Sequence, residues 1–247
     1  MKDIREHIIY EDNDICVCHK PSGVLTQADR GFSQDMVSAL LTYERRNGDK
    51  NPFIAPVNRL DRPVEGLVLY AKNSKAAAAL TKQITGGEVG KCYYAVVDID
   101  ADMRKHLEDT LGNRVTLEDY LVKDARTNMS RAVTADTDGA KRAVLDYEVV
   151  ELHDDKVLLR VTLHTGRHHQ IRVQLSHAGL PIAGDNKYNV KPRDGAASGN
   201  RGGDALALCS YRLEFCHPVT KKKMRYEIIP SGSGFAGFDL AGAEHKK

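Results

Sequence analysis

The sequence predicts an α+β protein: a large, mainly antiparallel mixed β-sheet with a few flanking helices and a central cleft across it. Two segments, 143–163 and 207–229, alternate apolar and polar residues on both sides of a short turn, which is typical of antiparallel hairpins. Helical patterns are fewer than strand patterns. The regular strand–helix–strand alternation that indicates a parallel sheet is absent from the sequence.

The N-terminal part of the chain begins with two short strands, which residues 7–10 and 14–19 predict around a polar turn. A loop follows, and the side chain of Lys20 at its start is expected to be a solvated cation. Ser33 is a favourable N-cap for the first helix, and Gly48 lies just past the end of that helix.

The middle of the chain is less regular. A second helix, rich in alanine, is predicted over 75–84, and residues 91–97 follow with high strand propensity. Residues 98–142 are polar and mixed in charge, so only 115–122 within them indicates a strand. The two hairpins then complete the predicted sheet.

One carboxylate stands out between the first two helices: Asp61, flanked by Arg59 and Arg62. The apolar run 67–70, which follows Pro63, predicts a buried strand, so the acid lies on a tight connection entering the sheet. Two neighbouring guanidinium groups favour the charged form of the acid, which suits a nucleophile or a base. The alternative is an ion pair at a surface turn, because charge clusters are usually solvated.

A second charged stretch covers residues 164–177 and predicts a helix by its apolar spacing. Thr165 is a plausible N-cap, which would place Arg167 and His168 near the helix start. The backbone N–H groups there favour an anion.

The segment 156–184 contains no Asp or Glu, although four lysines and arginines and four histidines lie within it. Such a segment predicts a phosphate-binding face, and a helix with one basic side is the alternative. His164 and His168 are four positions apart, as in a metal-binding helix. Gly166 between them argues against a shared helical face, so no metal site is predicted.

Composition limits the class of protein. With 41% hydrophobic and 28% charged residues and a net charge of +2, the chain is neither disordered nor strongly basic. No apolar run is long enough to span a membrane, and no signal peptide is recognisable, so the cytoplasm is expected. Five scattered cysteines without a Cys-x-x-Cys pair argue against a disulfide scaffold.

The two charged stretches together resemble one known family, the RluA-type pseudouridine synthases. The first is similar to the catalytic motif of the family through Arg59, Leu60, Asp61, Gly66, Leu67, Ala71 and Lys72. The run from Thr165 to Arg172 is similar to its second motif, and the segment 179–188 continues the match. Asn58 stands where many members carry His, and Glu65 stands where they carry Ser.

The resemblance implies a set of site residues. Asp61 falls on the nucleophilic aspartate, Tyr93 on the active-site tyrosine, and Arg172 on an arginine expected to pair with Asp61 and keep it ionised. Arg59 takes the position of a side chain that fills the gap left by an extruded base. The RNA-contacting residues implied are Arg59, Arg62, Lys20, Arg167, His168 and Gln170.

The function that the resemblance implies is the isomerisation of uridine to pseudouridine in a structured RNA, ribosomal or transfer. The reaction involves neither redox change nor net hydrolysis, so no cofactor and no metal are expected. RNA is the expected partner of a cytoplasmic monomer without an obligate protein partner. One catalytic domain is expected over 1–230, without the N-terminal RNA-binding domain of many members, followed by a loosely ordered tail over 231–247.

Two other classes remain open. One is an RNA-binding protein of the same fold that has lost catalysis, for which Asn58 and Glu65 are the indications. Intact Asp61, Tyr93 and Arg172 argue against it. The other is a metal-assisted hydrolase that uses the histidine cluster.

Overall fold

The computed structural model describes residues 3–28, 35–153, 155–189 and 205–240. The strands are β1 Ile8–Glu11, β2 Ile15–Lys20, β3 Ala55–Pro56, β4 Glu65–Ala71, β5 Gly90–Asp98, β6 Arg114–Asp124, β7 Met129–Val133, β8 Lys141–Leu152, β9 Lys156–Leu163, β10 Leu208–Cys216 and β11 Lys223–Glu227. The α-helices are α1 Met36–Arg46, α2 Ser74–Thr85, α3 Ala101–Glu108 and α4 Gln170–His177. The predicted α+β class is confirmed.

The chain divides into two compact units. The first contains Met1–Lys91 and Cys209–Pro230, and the second contains Cys92–Leu208 and Ser231–Lys247. The single catalytic domain over 1–230 stays a prediction.

The first unit contains strands in the order β1-β2-β4-β10, with β3 beside β4 and β11 beside β10. The pairs are antiparallel except β4 with β10, which run parallel. All seven residues of β4 are buried, which explains its continuous apolar run. Leu67 and Leu69 of β4 pack in one cluster with Ala76 and Leu80 of α2.

Gly66 allows β4 and β10 to approach each other closely. Its φ is +137°, and a Cβ atom at this position would lie 2.5 Å from the backbone nitrogen of Ser210. Gly66→Ala is therefore expected to lower the free energy of unfolding by about 3 kcal/mol, because a backbone atom cannot move aside as a side chain can.

The matched control is Gly48→Ala. Gly48 has a φ of +100°, and a Cβ atom there would meet nothing within 4 Å, so only the backbone strain remains, about 1 kcal/mol. Urea unfolding of both variants measures the difference. Equal losses would show that the contact with Ser210 contributes nothing.

The second unit contains antiparallel strands in the order β5-β9-β8-β6-β7. The helix α4 packs against β6 and β7, where Leu121, Ala143, Val173 and Tyr188 form a buried cluster. The predicted hairpin of β8 and β9 is confirmed, and so is the hairpin of β10 and β11 in the first unit. None of the helices in the described ranges is both long and apolar enough to cross a membrane.

Two predicted helix starts require correction. The N-cap of α1 is Asp35, whose carboxylate accepts the Ser38 N–H at 3.0 Å, while Ser33 lies outside the described residues. The residue before α4 is His169, with a left-handed φ of 54°, so the predicted cap at Thr165 is wrong. The Thr165 hydroxyl instead accepts the Val144 N–H at 2.9 Å.

The segment after 230 was expected to be loosely ordered. Its described part contains a short 3-10 helix, Ser233–Phe235, in which Phe235 is buried. Asp239 donates its backbone N–H to the Glu151 carboxylate at 3.0 Å. The remainder of that prediction, residues 241–247, lies outside the described residues.

Candidate functional site

Asp61 lies on the loop that enters β4, and the residue before it is held through its backbone. The Thr26 hydroxyl donates to the Leu60 carbonyl at 3.0 Å and lies 3.1 Å from the Leu60 nitrogen, whose N–H it accepts. Thr26 and Leu60 are both buried. Both the N–H and the carbonyl of Leu60 are therefore hydrogen-bonded to the side chain of Thr26, which lies 34 positions earlier in the sequence.

The residues after Asp61 are held in the same way. The Arg62 carbonyl accepts the Gly23 N–H at 2.8 Å, and the Pro63 carbonyl accepts the Ser22 hydroxyl at 2.7 Å. The loop is thus bonded to residues 22–26 on both sides of the half-buried Asp61. This support fixes the backbone that carries the Asp61 side chain, as a preorganised site would require.

Lys20 is fully buried, so the expectation of a solvated loop cation is wrong. Its ammonium group donates to the carbonyls of Val24 at 2.7 Å, Pro21 at 3.0 Å and Arg62 at 3.2 Å. The residue ends β2, opposite Gly66, where these carbonyls converge. An RNA contact by Lys20 stays a prediction, and in this structure its hydrogen bonds support the Asp61 loop.

The charge of Lys20 makes stability depend on pH. Burial lowers its pKa from 10.5 to about 8, while the charges of Asp61 and Glu65 act in the opposite direction. The unfolded chain therefore binds this proton more tightly than the folded protein, and folding gains stability as the pH rises from about 8 to 10.5.

Comparison of the wild type with Lys20→Met isolates this effect, because all other groups titrate in both proteins. The difference in unfolding free energy in favour of the wild type is expected to grow by about 3 kcal/mol across that pH range. Chemical unfolding at several pH values measures it. A difference that does not change with pH would contradict the buried charge.

The two departures from the family motif have structural explanations. Asn58 is buried, donates to the Leu67 carbonyl at 3.2 Å and accepts the Leu69 N–H at 2.9 Å, so its amide joins the loop to β4 as a strand would. Glu65 is 5% exposed and lies 3.9 Å from the His19 ring nitrogen Nε2. Glu65 therefore belongs to the interior of the first unit.

The two arginines beside Asp61 are exposed. Arg62 donates from Nε to the Gly23 carbonyl at 2.9 Å, and this bond orients its guanidinium group along the loop. Arg59 and Arg62 thus remain candidates for contact with RNA.

Tyr93 lies on β5 of the second unit, opposite Val161 of β9, and is 6% exposed. Its neighbour Tyr94 points to the other face and is also buried.

Arg172 lies on α4 and is held by Asp185, which the sequence interpretation did not assign to the site. Its Nε and Nη2 atoms each lie 2.7 Å from a different Asp185 oxygen. Asp185 also accepts the N–H groups of Lys187 and Tyr188, and the Tyr188 ring lies 5.1 Å from the guanidinium carbon. Both members of the pair are at least 95% buried, so the guanidinium orientation is fixed.

The other predicted residues of the second motif have different surroundings. Gln170 is 3% exposed, and its amide bonds to Thr165, Val144 and the Arg167 backbone, so its polar atoms are engaged inside the unit. His168 is half-buried and lies 2.9 Å from the Ser130 hydroxyl. Arg167 is exposed. RNA contacts by these three residues stay predictions.

The segment 156–184 contains no acid in its own sequence, but acids from other parts of the fold lie beside several of its basic side chains. Acids on β6, β8 and the segment after α4 pair with its cations: Arg160 with Glu148, His164 with Asp146, Arg172 with Asp185 and His177 with Asp119. Four of the eight basic side chains of the segment therefore have an acidic partner, and a phosphate-binding face over 156–184 stays a prediction. Arg167, His164 and His177 are exposed.

The potential metal ligands have other partners. His164 and His168 contact different residues, Asp146 and Ser130. In the first unit Asp12, Asp14 and His217 lie close together.

The ring of His217 accepts backbone N–H groups at Nδ1 and lies 2.9 Å from the Asp12 carboxylate at Nε2. The Asp12 carboxylate also accepts the N–H groups of Asp14 and Ile15. Hydrogen bonding within the fold thus accounts for this group.

Solved structures define the class of this fold. The structure of human RNA pseudouridylate synthase domain containing 4 matches with a TM-score of 0.71 over 92% of this chain and 90% of its own, at 20% identity. That of domain containing 1 gives a TM-score of 0.68 over 91% and 83%, also at 20% identity. The protein has the pseudouridine synthase fold.

The sequence comparison identifies the family. Residues 14–177 match the family described as RNA pseudouridylate synthase, and the chain belongs to it. This confirms the resemblance drawn from the two motifs. The protein is an enzyme of the class that isomerises uridine to pseudouridine in RNA.

Three relatives illustrate the match. The ribosomal large subunit pseudouridine synthase C of Buchnera aphidicola is 30% identical over 225 residues, covering 90% of this chain and 67% of the relative. Synthase D of Pseudomonas aeruginosa is 30% identical over 240 residues, covering 92% and 68%. The uncharacterized RNA pseudouridine synthase YlyB of Bacillus subtilis is 32% identical over 225 residues, covering 89% and 67%. The chain spans about two thirds of the length of these relatives.

Proposed function

We propose that this protein isomerises specific uridines of large-subunit ribosomal RNA, with Asp61 as the nucleophile. The observation that carries the assignment is the support of the Asp61 loop, in which both Leu60 and Arg62 are bonded to residues 20–26. Relatives named for the large ribosomal subunit make its RNA the first substrate to test. Transfer RNA is the second.

The reaction needs an extruded base and an ionised acid. The target uridine leaves its stack, and the exposed guanidinium group of Arg59 takes its place. Asp61 attacks C1′ and the bond between C1′ and N1 breaks, which releases the uracil as an anion. The uracil turns, its C5 atom displaces the Asp61 carboxylate from C1′, the C5 hydrogen leaves as a proton, and N1 takes up a proton. Asp61 supplies the carboxylate for attack, and Tyr93 is proposed to act near the departing proton.

Arg172 is proposed to hold Asp61 in its ionised form. Support comes from the fixed orientation that Asp185 imposes on the guanidinium group, because a preorganised fork loses little freedom when it meets a second anion. The pairing of Arg172 with Asp61 stays a prediction of the family resemblance.

The experiment uses unmodified large-subunit ribosomal RNA transcribed with uridine tritiated at C5. Wild-type protein is expected to release tritium in proportion to the pseudouridine formed, and chemical mapping would locate the modified positions. Transfer RNA transcripts provide the comparison. Binding to both RNAs without tritium release would instead favour the catalytically inactive RNA-binding alternative.

Compartment and assembly are also proposed. The protein is expected to act in the cytoplasm as a monomer without an obligate protein partner. Sedimentation of the purified protein tests the monomer, and a dimer at micromolar concentration would contradict it.

A further inference from the structure

One hairpin of the second unit extends beyond its sheet. The strand β6 pairs with β8 only from Arg114 to Leu121. Beyond Leu121 it pairs with β7 alone, with Val122 opposite Arg131 and Asp124 opposite Met129. Residues 122–131, here named the arm, therefore form a two-stranded projection in the region whose role the sequence left open.

The arm is fixed by its inner side. The Ser130 N–H donates to the Tyr188 hydroxyl at 2.9 Å, and the Ser130 hydroxyl lies 2.9 Å from Nδ1 of His168. The ammonium group of Lys187 donates to the Asn128 carbonyl at 3.0 Å. An isolated two-stranded hairpin is only marginally stable, so these contacts are what keep the arm in one conformation.

The arm carries three exposed cations, Lys123, Arg126 and Arg131. Lys123 and Arg131 lie on opposite faces of the two strands, because Lys123 pairs with Ser130 and Arg131 with Val122. Among the described residues, none of the three has a carboxylate within 4.0 Å. The acid of the arm, Asp124, accepts the Arg126 N–H at 2.8 Å, and this bond lowers the pKa of its carboxyl, with a smaller contribution from the charge of Arg131. These cations differ in this respect from Arg160, which is neutralised by Glu148.

We infer that the arm is an RNA-binding element that contacts backbone phosphates through Lys123, Arg126 and Arg131. A rigid projection with three exposed cations and one acid fits a polyanion, because each phosphate contact releases condensed counterions. The inference rests on the proposed function, since it takes the polyanion to be the substrate RNA.

An RNA is favoured over an acidic protein because the arm is connected to the reaction machinery of its own unit. Tyr188, which holds the arm through Ser130, also lies under the guanidinium group of Arg172. His168, the other partner of Ser130, belongs to the same motif as Arg172. RNA held by the arm is thus held beside residues that the reaction is proposed to use.

The test removes the three charges together in K123Q/R126Q/R131Q. Its control, K75Q/K82Q/K222Q, removes three exposed charges from the first unit. Affinity for unmodified large-subunit ribosomal RNA is measured at increasing KCl concentration. The slope of log affinity against log salt is expected to become shallower by about one per lost contact, hence by about three, in the arm variant alone.

A slope that is unchanged in the arm variant, or lowered equally in the control, would overturn the inference. Loss of binding to polyglutamate with an unchanged RNA slope would assign the arm to an acidic protein and would overturn it too. Thermal unfolding checks that both variants fold, as exposed substitutions normally allow.

The measurement is independent of the proposed reaction. If the wild-type protein releases no tritium but the salt dependence of RNA affinity becomes shallower in the arm variant alone, the RNA-binding role of the arm is supported and the proposed reaction is refuted. Tritium release by the wild type together with an unchanged salt slope in the arm variant would support the proposed reaction and refute the RNA-binding role of the arm.

Discussion

Asp61→Asn is expected to abolish pseudouridine formation while RNA affinity and the fold stay as in the wild type. Asparagine has nearly the same shape as aspartate but provides no carboxylate for attack or proton transfer. The loop on which the residue lies is held by the backbone of its neighbours, so the amide would take the same position. Turnover should fall on the order of a thousandfold or more.

Tritium release from RNA labelled at C5 of uridine measures this loss directly, because that hydrogen must leave when the new carbon–carbon bond forms. The control Glu6→Gln also removes one negative charge, at an exposed position of the first unit, and should leave the rate unchanged. A rate near that of the wild type in Asp61→Asn would refute the assignment, and Glu65 would then be the next acid to test. An effect on binding alone would make Asp61 a structural ion-pair residue.

Arg172→Ala is expected to lose most turnover and also to lower the free energy of unfolding by about 3 to 5 kcal/mol. The second effect arises because Asp185, 1% exposed, would remain buried without its counterion. The motif gives no indication of this second effect, because it assigns no role to Asp185. Arg172→Lys should restore part of each loss, since an ammonium group cannot match both carboxylate oxygens.

The control for Arg172→Ala is Arg142→Ala. Arg142 also pairs through two nitrogens with one carboxylate, that of Glu118, but both side chains are about half exposed. Its loss should cost only about 0.5 kcal/mol. Urea unfolding compares the two variants, and equal losses would contradict the argument from burial. An active Arg172→Ala enzyme would refute the proposed role of this arginine.

The sequence predicts the long strands and the hairpins well because alternation is a local signal. It missed α3, in which only Leu107 is buried, and β7, which has five residues. Neither element has enough apolar periodicity to be distinguished from a polar loop. The start of α4 was misplaced because the left-handed conformation of His169 has no signature in its residue type.

The site residues on motifs were predictable, but their surroundings were not. The burial of Lys20 depends on carbonyls that only the folded chain brings together. The acidic partners of 156–184 could not be predicted because a count along the sequence does not include the opposite strand, where Glu148 faces Arg160 in the β8–β9 register. Local sequence therefore indicates which residues matter, and tertiary pairing decides which charges remain available.

The first unit is discontinuous, and this has a consequence for biosynthesis. The strand β10, which begins at Leu208, pairs with β4 at Glu65 and Gly66 and supplies Leu213 and Phe215 to the core cluster of β4, and it is made long after Glu65–Ala71. At ribosomal speeds of about 5 to 20 residues per second, the nascent chain lacks this part of the core for roughly 7 to 30 seconds. Chains that terminate before Leu208 should therefore aggregate or depend on chaperones, because the apolar side chains that pack on Leu213 and Phe215 would stay exposed.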